Sequence, residues 1–285
     1  MSAISASGTT PHWPATSGLS RNCFACRIIR ILGLAVITIS AVLLGLTPGR
    51  AESVALGVSA DATLLQYAPD KALGGAVFFN AGTTAGGILN RALLYFDLTG
   101  LIPPNAQITS VALTMDVVRQ PAVDPVSSLF SLRRGLVSWG EGSTIEENPE
   151  NPGKGGPAQP GDATWSHRSY SDTEWFSPGG AAGVDFSTEF SSATVVYGQG
   201  DLVLFESTPQ MLSDVRLWLE HPELNFGWML KTEEERQPRT ARSFASRESG
   251  FGPTLSIDFV VVPEPVTWWF AGLAAGGVWF ERRRR

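Results

Sequence analysis

The sequence predicts an all-β domain: a jelly-roll-type antiparallel β-sandwich with one short capping helix, flanked by an N-terminal signal helix and a C-terminal transmembrane helix. Three observations predict it. Short runs of alternating apolar and polar residues recur between clusters of Gly, Pro, Asn and Asp, spaced about every 8–12 residues. A single stretch, from Thr208 to Pro222, has the apolar period of a helix. At the two ends of the chain, charge-free apolar segments stand beside arginines, as membrane-directed addresses do.

Residues 1–51 read as a secretory signal. Arg21, Arg27 and Arg30 precede the apolar run Ile31–Leu46, no acid occurs before Glu52, and Pro48-Gly49 breaks the helix. Gly49 and Ala51 place small residues where signal peptidase inspects the chain, so the cut is expected between Ala51 and Glu52. An uncleaved anchor is the minority reading. No twin-arginine pair is present, which favours the general export route. The only two cysteines, Cys23 and Cys26, fall inside this segment. A lone C-x2-C there is read as incidental, not as a zinc or redox site. The exported chain, residues 52–262, would then have no disulfide and must be held by its core, for which about 210 residues suffice.

Within that domain Asp61–Leu65 and Ala76–Phe79 are strand patterns bounded by turns. Arg91–Leu98 is apolar on both faces, as a central strand requires. Ile108–Val118 alternates Val111, Leu113, Met115 and Val117 with more polar residues, so one face meets a core. Leu129–Arg133 follows. Gly140–Gly161 is rich in Gly, Pro and Glu and poor in apolar residues, so a long exposed loop is expected. Ala193–Tyr197 and Asp201–Phe205 are two strands joined through Gly198–Gly200. Thr208 is a good N-cap, Pro209 suits the first helical position, and Met211, Leu212, Val215, Trp218 and Leu219 form one stripe that Pro222 ends. Asn225–Leu230, Thr240–Arg247 and Thr254–Val261 complete the strands, and Glu233–Arg236 reads as a solvated turn.

The chain closes with Pro263-Glu264-Pro265, then Val266–Phe280 without a charge, then Glu281 and Arg282, Arg283, Arg284 and Arg285. The apolar segment belongs in a bilayer with the arginines on the cytoplasmic side, and it is shorter than the roughly 20 residues of a stable span. This order resembles the PEP-CTERM sorting signal of Gram-negative bacteria. The resemblance covers 263–285 and implies processing by exosortase, a membrane transpeptidase, near Pro-Glu-Pro. The alternative is an ordinary C-terminal anchor, which has no need of the Pro-Glu-Pro boundary.

A second resemblance spans about 61–259. Arg91–Asp97, Ile102-Pro103 and Ile108–Leu113, then Trp139-Gly140-Glu141, Ala163-Thr164-Trp165, and Trp175 with Pro178-Gly179-Gly180 are similar to the DNRLRE family, related to disaggregatase repeats. So are Asn225–Trp228, Phe244–Glu248 and Pro253–Ile257. The resemblance implies a β jelly roll, and some members are carbohydrate-binding modules for acidic polysaccharide. The loop Gly140–Gly161 has no counterpart in that pattern.

Function is weighed on these residues. The whole chain holds 21 Lys+Arg and 27 Asp+Glu. Its two end segments take eight arginines and two glutamates, leaving 13 basic and 25 acidic residues in 52–262. That excess argues against a nucleic-acid partner. Trp165 and Trp175, in loop-rich sequence, are the candidate sugar-stacking residues, although tryptophan is more often core. Arg91, Arg242 and Arg247 are candidate contacts to an acidic sugar, against a structural reading. Arg247 and Glu248, as neighbours on a strand, should point to opposite faces and not pair. No G-x-S-x-G elbow and no H-E-x-x-H occurs, and His167 and His221 stand apart, so no catalytic residue is named. No cofactor is expected. Glu146, Glu147 and Glu150 could hold a structural Ca²⁺, but their spacing is not that of an EF-hand. The expectation is an exported, non-catalytic cell-surface or matrix protein that binds or organises extracellular polysaccharide. Its processing partners are signal peptidase and exosortase, with passage through the inner membrane. A structural surface protein without a ligand is the alternative, and a polysaccharide-degrading enzyme ranks last.

Overall fold

Period-2 alternation needs a partner strand on each side and a layer to cover its apolar face, and the structure supplies both. The computed structural model describes residues 50–148 and 152–261. The signal segment before residue 50 and the sorting segment from 262 onward lie outside the described residues. Among the described residues no helix is long and apolar enough to cross a membrane.

The chain is mostly antiparallel β-sheet with one α-helix. The principal strands are β1 (Arg50–Gly57), β2 (Ala60–Leu65), β4 (Phe78–Thr83), β5 (Leu89–Tyr95), β6 (Ala106–Arg119), β7 (Ser128–Arg134), β11 (Ser192–Val196), β12 (Leu202–Phe205), β13 (Trp228–Thr232), β14 (Arg242–Ala245) and β15 (Thr254–Val261). Between them run the short pairs β3 (Lys71–Ala72) with β8 (Gly156–Pro157), and β9 (His167–Ser169) with β10 (Thr173–Glu174). The eleven principal strands form one sheet in the order β1-β15-β6-β14-β4-β5-β13-β7-β11, with β12 on β6 and β2 on β5. The sheet is curled. Leu255 and Ile257 of β15 and Val111 and Leu113 of β6 share one buried cluster with Trp228 and Leu230 of β13 and Phe130 and Leu132 of β7. Consecutive strands β11 and β12 join opposite parts of this curl, β11 on β7 and β12 on β6.

Strand β5 is buried on both faces, as its composition predicts. Ala92 and Leu94 enter the main core, while Leu89 and Leu93 enter a second one with Ala62, Leu64, Trp165, Trp175, Phe186 and Met229. The last strand runs Thr254–Val261 as expected and pairs along β1, which begins on the signal side of the expected cut. After cleavage, Glu52–Gly57 would keep their partners.

The helix α1 (Pro209–Glu220) forms where the stripe predicts. Thr208 is its N-cap, with Oγ1 accepting from the Met211 N–H at 3.0 Å, and Met211, Val215 and Trp218 are buried. The Trp218 and Trp228 rings meet edge to face at 4.5 Å, which docks the helix on the sheet. Thr208→Ala should cost about 1 kcal/mol by orphaning that N–H. Thermal unfolding should show a melting temperature lowered by a few degrees, and an unchanged value would mean the cap is dispensable.

Four expectations need correction. The described parts of 140–161, residues 140–148 and 152–161, are loop exposed over much of its length, as expected, but they are tied down and not free. Gly155 and Gly156 are buried, Gly75 N–H donates to the Thr144 carbonyl at 2.9 Å, and Gly156 pairs with Ala72. Glycine explains it: a Cβ on Gly75 would lie 2.5 Å from the Ser143 oxygen, and one on Gly155 2.6 Å from the Ala72 oxygen. Backbone therefore packs on backbone, without apolar side chains. The turn at Glu233–Arg236 is not simply solvated. Glu233 pairs with Arg133 at 2.9 Å, and Glu235 with Arg91 at 2.9 Å, while Lys231 bridges both at 3.4 Å. Residues Asn225–Gly227 are not strand; the Asn225 side chain donates to the Phe96 carbonyl at 2.9 Å and accepts from Gly227 N–H, which takes φ 69°. Finally, β14 stops at Ala245, so Arg247 and Glu248 lie in a 3-10 turn over 247–249, where they do pair, at 2.7 Å.

Candidate functional site

The tryptophans expected to stack on sugar are in the second core. Trp165 is 8% and Trp175 5% exposed. The indole N–H of Trp175 donates to the Thr164 carbonyl at 2.8 Å, and a Cβ on Gly179 would lie 2.6 Å from the Trp165 ring, so the Gly179-Gly180 turn covers it. Neither ring presents a face to solvent. Loop-rich sequence did not mean exposure, because the loop folds back over the sheet. Trp139 is half-buried and its N–H donates to the Phe226 carbonyl.

Arg91 is a strut, not a free contact. Its guanidinium forks onto Glu235 at 2.9 and 3.1 Å, donates to the carbonyls of Gly179 and Gly180, and lies against the Trp165 and Phe186 rings. Arg247 is also engaged. Its guanidinium reaches Glu141 at 2.8 Å, Glu248 at 2.7 Å and the Ser59 carbonyl, while its backbone N–H donates to Asp61. Asp61, Glu141 and Glu248 bring carboxylate oxygens within 4.8 Å of one another. Burial pushes the Asp61 carboxyl up to about 7, against the hydrogen bond from Arg247, and burial raises Glu141 as well. Asp61 is 1% exposed and already bonded, so this cluster joins Trp139–Glu141, β2 and the 247–249 turn. Asp61 itself is closed off, while Arg247 and Glu248 face solvent. In the acidic loop, Glu147 pairs with Lys71 at 2.6 Å and Glu146 accepts from Gly153 N–H; Glu150 lies outside the described residues.

Arg242 is the one predicted residue that lines an open groove, of about 710 Å³, at the end of β4, β5, β6 and β14. It is 1% exposed and forms the back wall, donating to the carbonyls of Tyr197, Val126 and Ala241. Burial lowers its pKa, with no carboxylate hydrogen-bonded to it. In front stand Arg119, at the end of β6, and Arg239, held at φ 68° in the turn before β14. Arg119 is exposed, its guanidinium lies 4.9 Å over the Phe78 ring, and it has no ion pair among the described residues. Arg239 has only a loose, exposed contact to Asp124 at 3.8 Å. The floor carries amides: Asn80, whose Oδ1 accepts from Ser243 Oγ at 2.6 Å, and Asn90. Among the described residues no Asp or Glu lines the groove. Three arginines, of which only Arg239 has a carboxylate contact and a loose one, make the groove locally positive in a domain with nearly twice as many acids as bases.

A larger depression, about 950 Å³, lies beneath α1. It is walled largely by apolar residues such as Leu98, Ile102 and Leu219, and it includes Asp97 and Glu220. Its one arginine, Arg216, donates to the Ile108 carbonyl. An anion is disfavoured there. Compared with known proteins, the chain matches no protein-family model and no curated protein.

Sequence reading missed Asn80, Asn90, Arg119 and Arg239. They come from four separate segments, and only the sheet order brings them together. The available signal was Arg119 at the end of a long alternating strand, just before a Gln-Pro break.

Proposed function

We propose that the protein is exported, processed at a PEP-CTERM signal by exosortase, and placed at the cell surface or in the extracellular matrix of a Gram-negative bacterium. There a DNRLRE-like jelly-roll domain binds acidic extracellular polysaccharide without catalysis. The address segments support the first part, through the basic and apolar order at each end of the chain. The curled, antiparallel, strand-rich domain supports the jelly-roll reading. The observation that carries the binding reading is the arginine-lined groove, whose size falls in the range of small-ligand sites. Uronate carboxylates would meet Arg119 and Arg239, with the amides of the floor turned to sugar hydroxyls.

The test is affinity electrophoresis of the full-length protein through gels containing polygalacturonate or a neutral glucan. Retardation is expected in polygalacturonate only, weakening as salt rises. Arg119→Ala and Arg239→Ala should each reduce it about tenfold, since a charge-assisted hydrogen bond contributes roughly 1.5–3 kcal/mol. Equal mobility in both gels, or retardation indifferent to both substitutions, would sink the reading.

A further inference from the structure

Asn90 is the second residue of β5, and its backbone lies in register with Leu65 on β2 and Gly82 on β4. Asn90 is one of the residues lining the arginine groove, it is 6% exposed, and its Oδ1 is buried without a hydrogen-bond donor. Such atoms are uncommon, because an unpaired buried acceptor is a standing cost to the fold. Among the described residues only two others share the condition, His167 Nδ1 and Trp218 Nε1. Neither lines this groove. Thus one unsatisfied polar atom in the molecule belongs to the wall of the same groove that carries unpaired positive charge.

A ligand that fits must bring an anion for the arginines and a donor for Asn90. Sulfate and simple carboxylate polymers bring the charge without the donor at neutral pH. Neutral glycans bring hydroxyls without the charge. A uronic acid residue brings both, and a hydroxyl donates and accepts, so it satisfies the amide in either orientation. Resting on the proposed reading of the groove, we propose that Asn90 is its specificity-determining residue, selecting hydroxylated carboxylate sugars over bare polyanions.

The same logic predicts an unusual stability signature. Asn90→Leu replaces an unpaired acceptor with an apolar group of similar shape, so the free protein should lose no stability while losing discrimination. The experiment is competition for polygalacturonate by the full-length protein, using oligogalacturonate and polyacrylate matched in charge. For the unsubstituted protein, oligogalacturonate should compete at least tenfold better. For Asn90→Leu the two should compete equally, at an unlowered melting temperature. Equal competition by polyacrylate against the unsubstituted protein would overturn the inference while leaving the groove an anion site. Retained discrimination in a folded Asn90→Leu protein would overturn it too. A substituted protein that melts early is replaced by Asn90→Ala, held to the same criterion. Failure of the unsubstituted protein to bind polygalacturonate at all would remove the groove reading and this inference with it.

Discussion

Asp214→Ala is expected to destabilise the domain by about 3–5 kcal/mol, the usual range for breaking a buried ion pair. Asp214 lies on α1 and is 1% exposed. Its Oδ1 pairs with Arg134 Nε at 3.1 Å and accepts from Gln210 Nε2 at 3.0 Å. Its Oδ2 accepts from the Trp228 indole N–H at 3.3 Å and from Ser191 Oγ. One carboxylate thus binds the helix to β7, to β13 and to the residue before β11. Removing it strips the acceptor from the buried Ser191 hydroxyl, leaves the Trp228 N–H only its 2.9 Å bond to Ser191 Oγ, and leaves a partly buried Arg134 uncompensated. The Arg134 side chain is 26% exposed and reaches some water, which places the loss nearer the lower figure. Urea unfolding should show a lowered midpoint with an unchanged slope. Asp214→Asn keeps an acceptor and should fall between. A loss below about 1 kcal/mol for the alanine variant would show that the helix is held by its apolar stripe alone.

Asp61→Asn should act in the opposite direction, by an amount that grows from about pH 4 and is full above about pH 7. The folded state holds the Asp61 carboxyl at about 7, against the ordinary 3.8, chiefly through burial. Between those values the native state binds a proton that the unfolded chain has released, so stability falls as pH rises from about 4 through about 7 and then levels. The raised Glu141 adds to the same slope. Asparagine keeps an oxygen for the Arg247 N–H and carries no charge. Its amide can donate to Glu141 or Glu248, whose oxygens are close by. The substitution should therefore stabilise by about 2–4 kcal/mol at pH 8.5 and by almost nothing near pH 4. Paired urea titrations at the two pH values measure it. A variant less stable than the parent at pH 8.5 would mean that Arg247 favours the ionised carboxylate more than burial opposes it.

These two acids also show where sequence reading stopped. Asp214 stands at i+3 from Met211 and one residue before Val215, in the middle of the helix's apolar stripe. An acid in that position signals a buried partner, but nothing local says that the partners are Arg134, Ser191 and Trp228. In the sequence Asp61 is one end of a strand pattern, Glu141 part of a Trp-Gly-Glu element, and Arg247-Glu248 neighbours at the end of a strand pattern. The structure joins all four through contacts that span 80 to 186 residues of chain.

What the sequence by itself determined was what short-range physics controls. The N-cap and proline at Thr208-Pro209 and the 3.6-residue stripe placed the helix, two-residue alternation placed β6 and β15, and an apolar run with both faces covered placed β5. Strand identity follows from side-chain period, which is written in consecutive residues. Tertiary structure alone decided which faces are covered. It buried Trp165 and Trp175, drew the glycine-rich 140–161 segment onto the β3 edge through backbone hydrogen bonds that leave no hydropathy signal, and turned Glu233 and Glu235 onto Arg133 and Arg91. It also assembled the arginine groove from strand ends far apart in the chain. The physical reason is common to all of these. Burial and pairing depend on what lies across the sheet, and strand order is a property of the whole chain, not of any window along it.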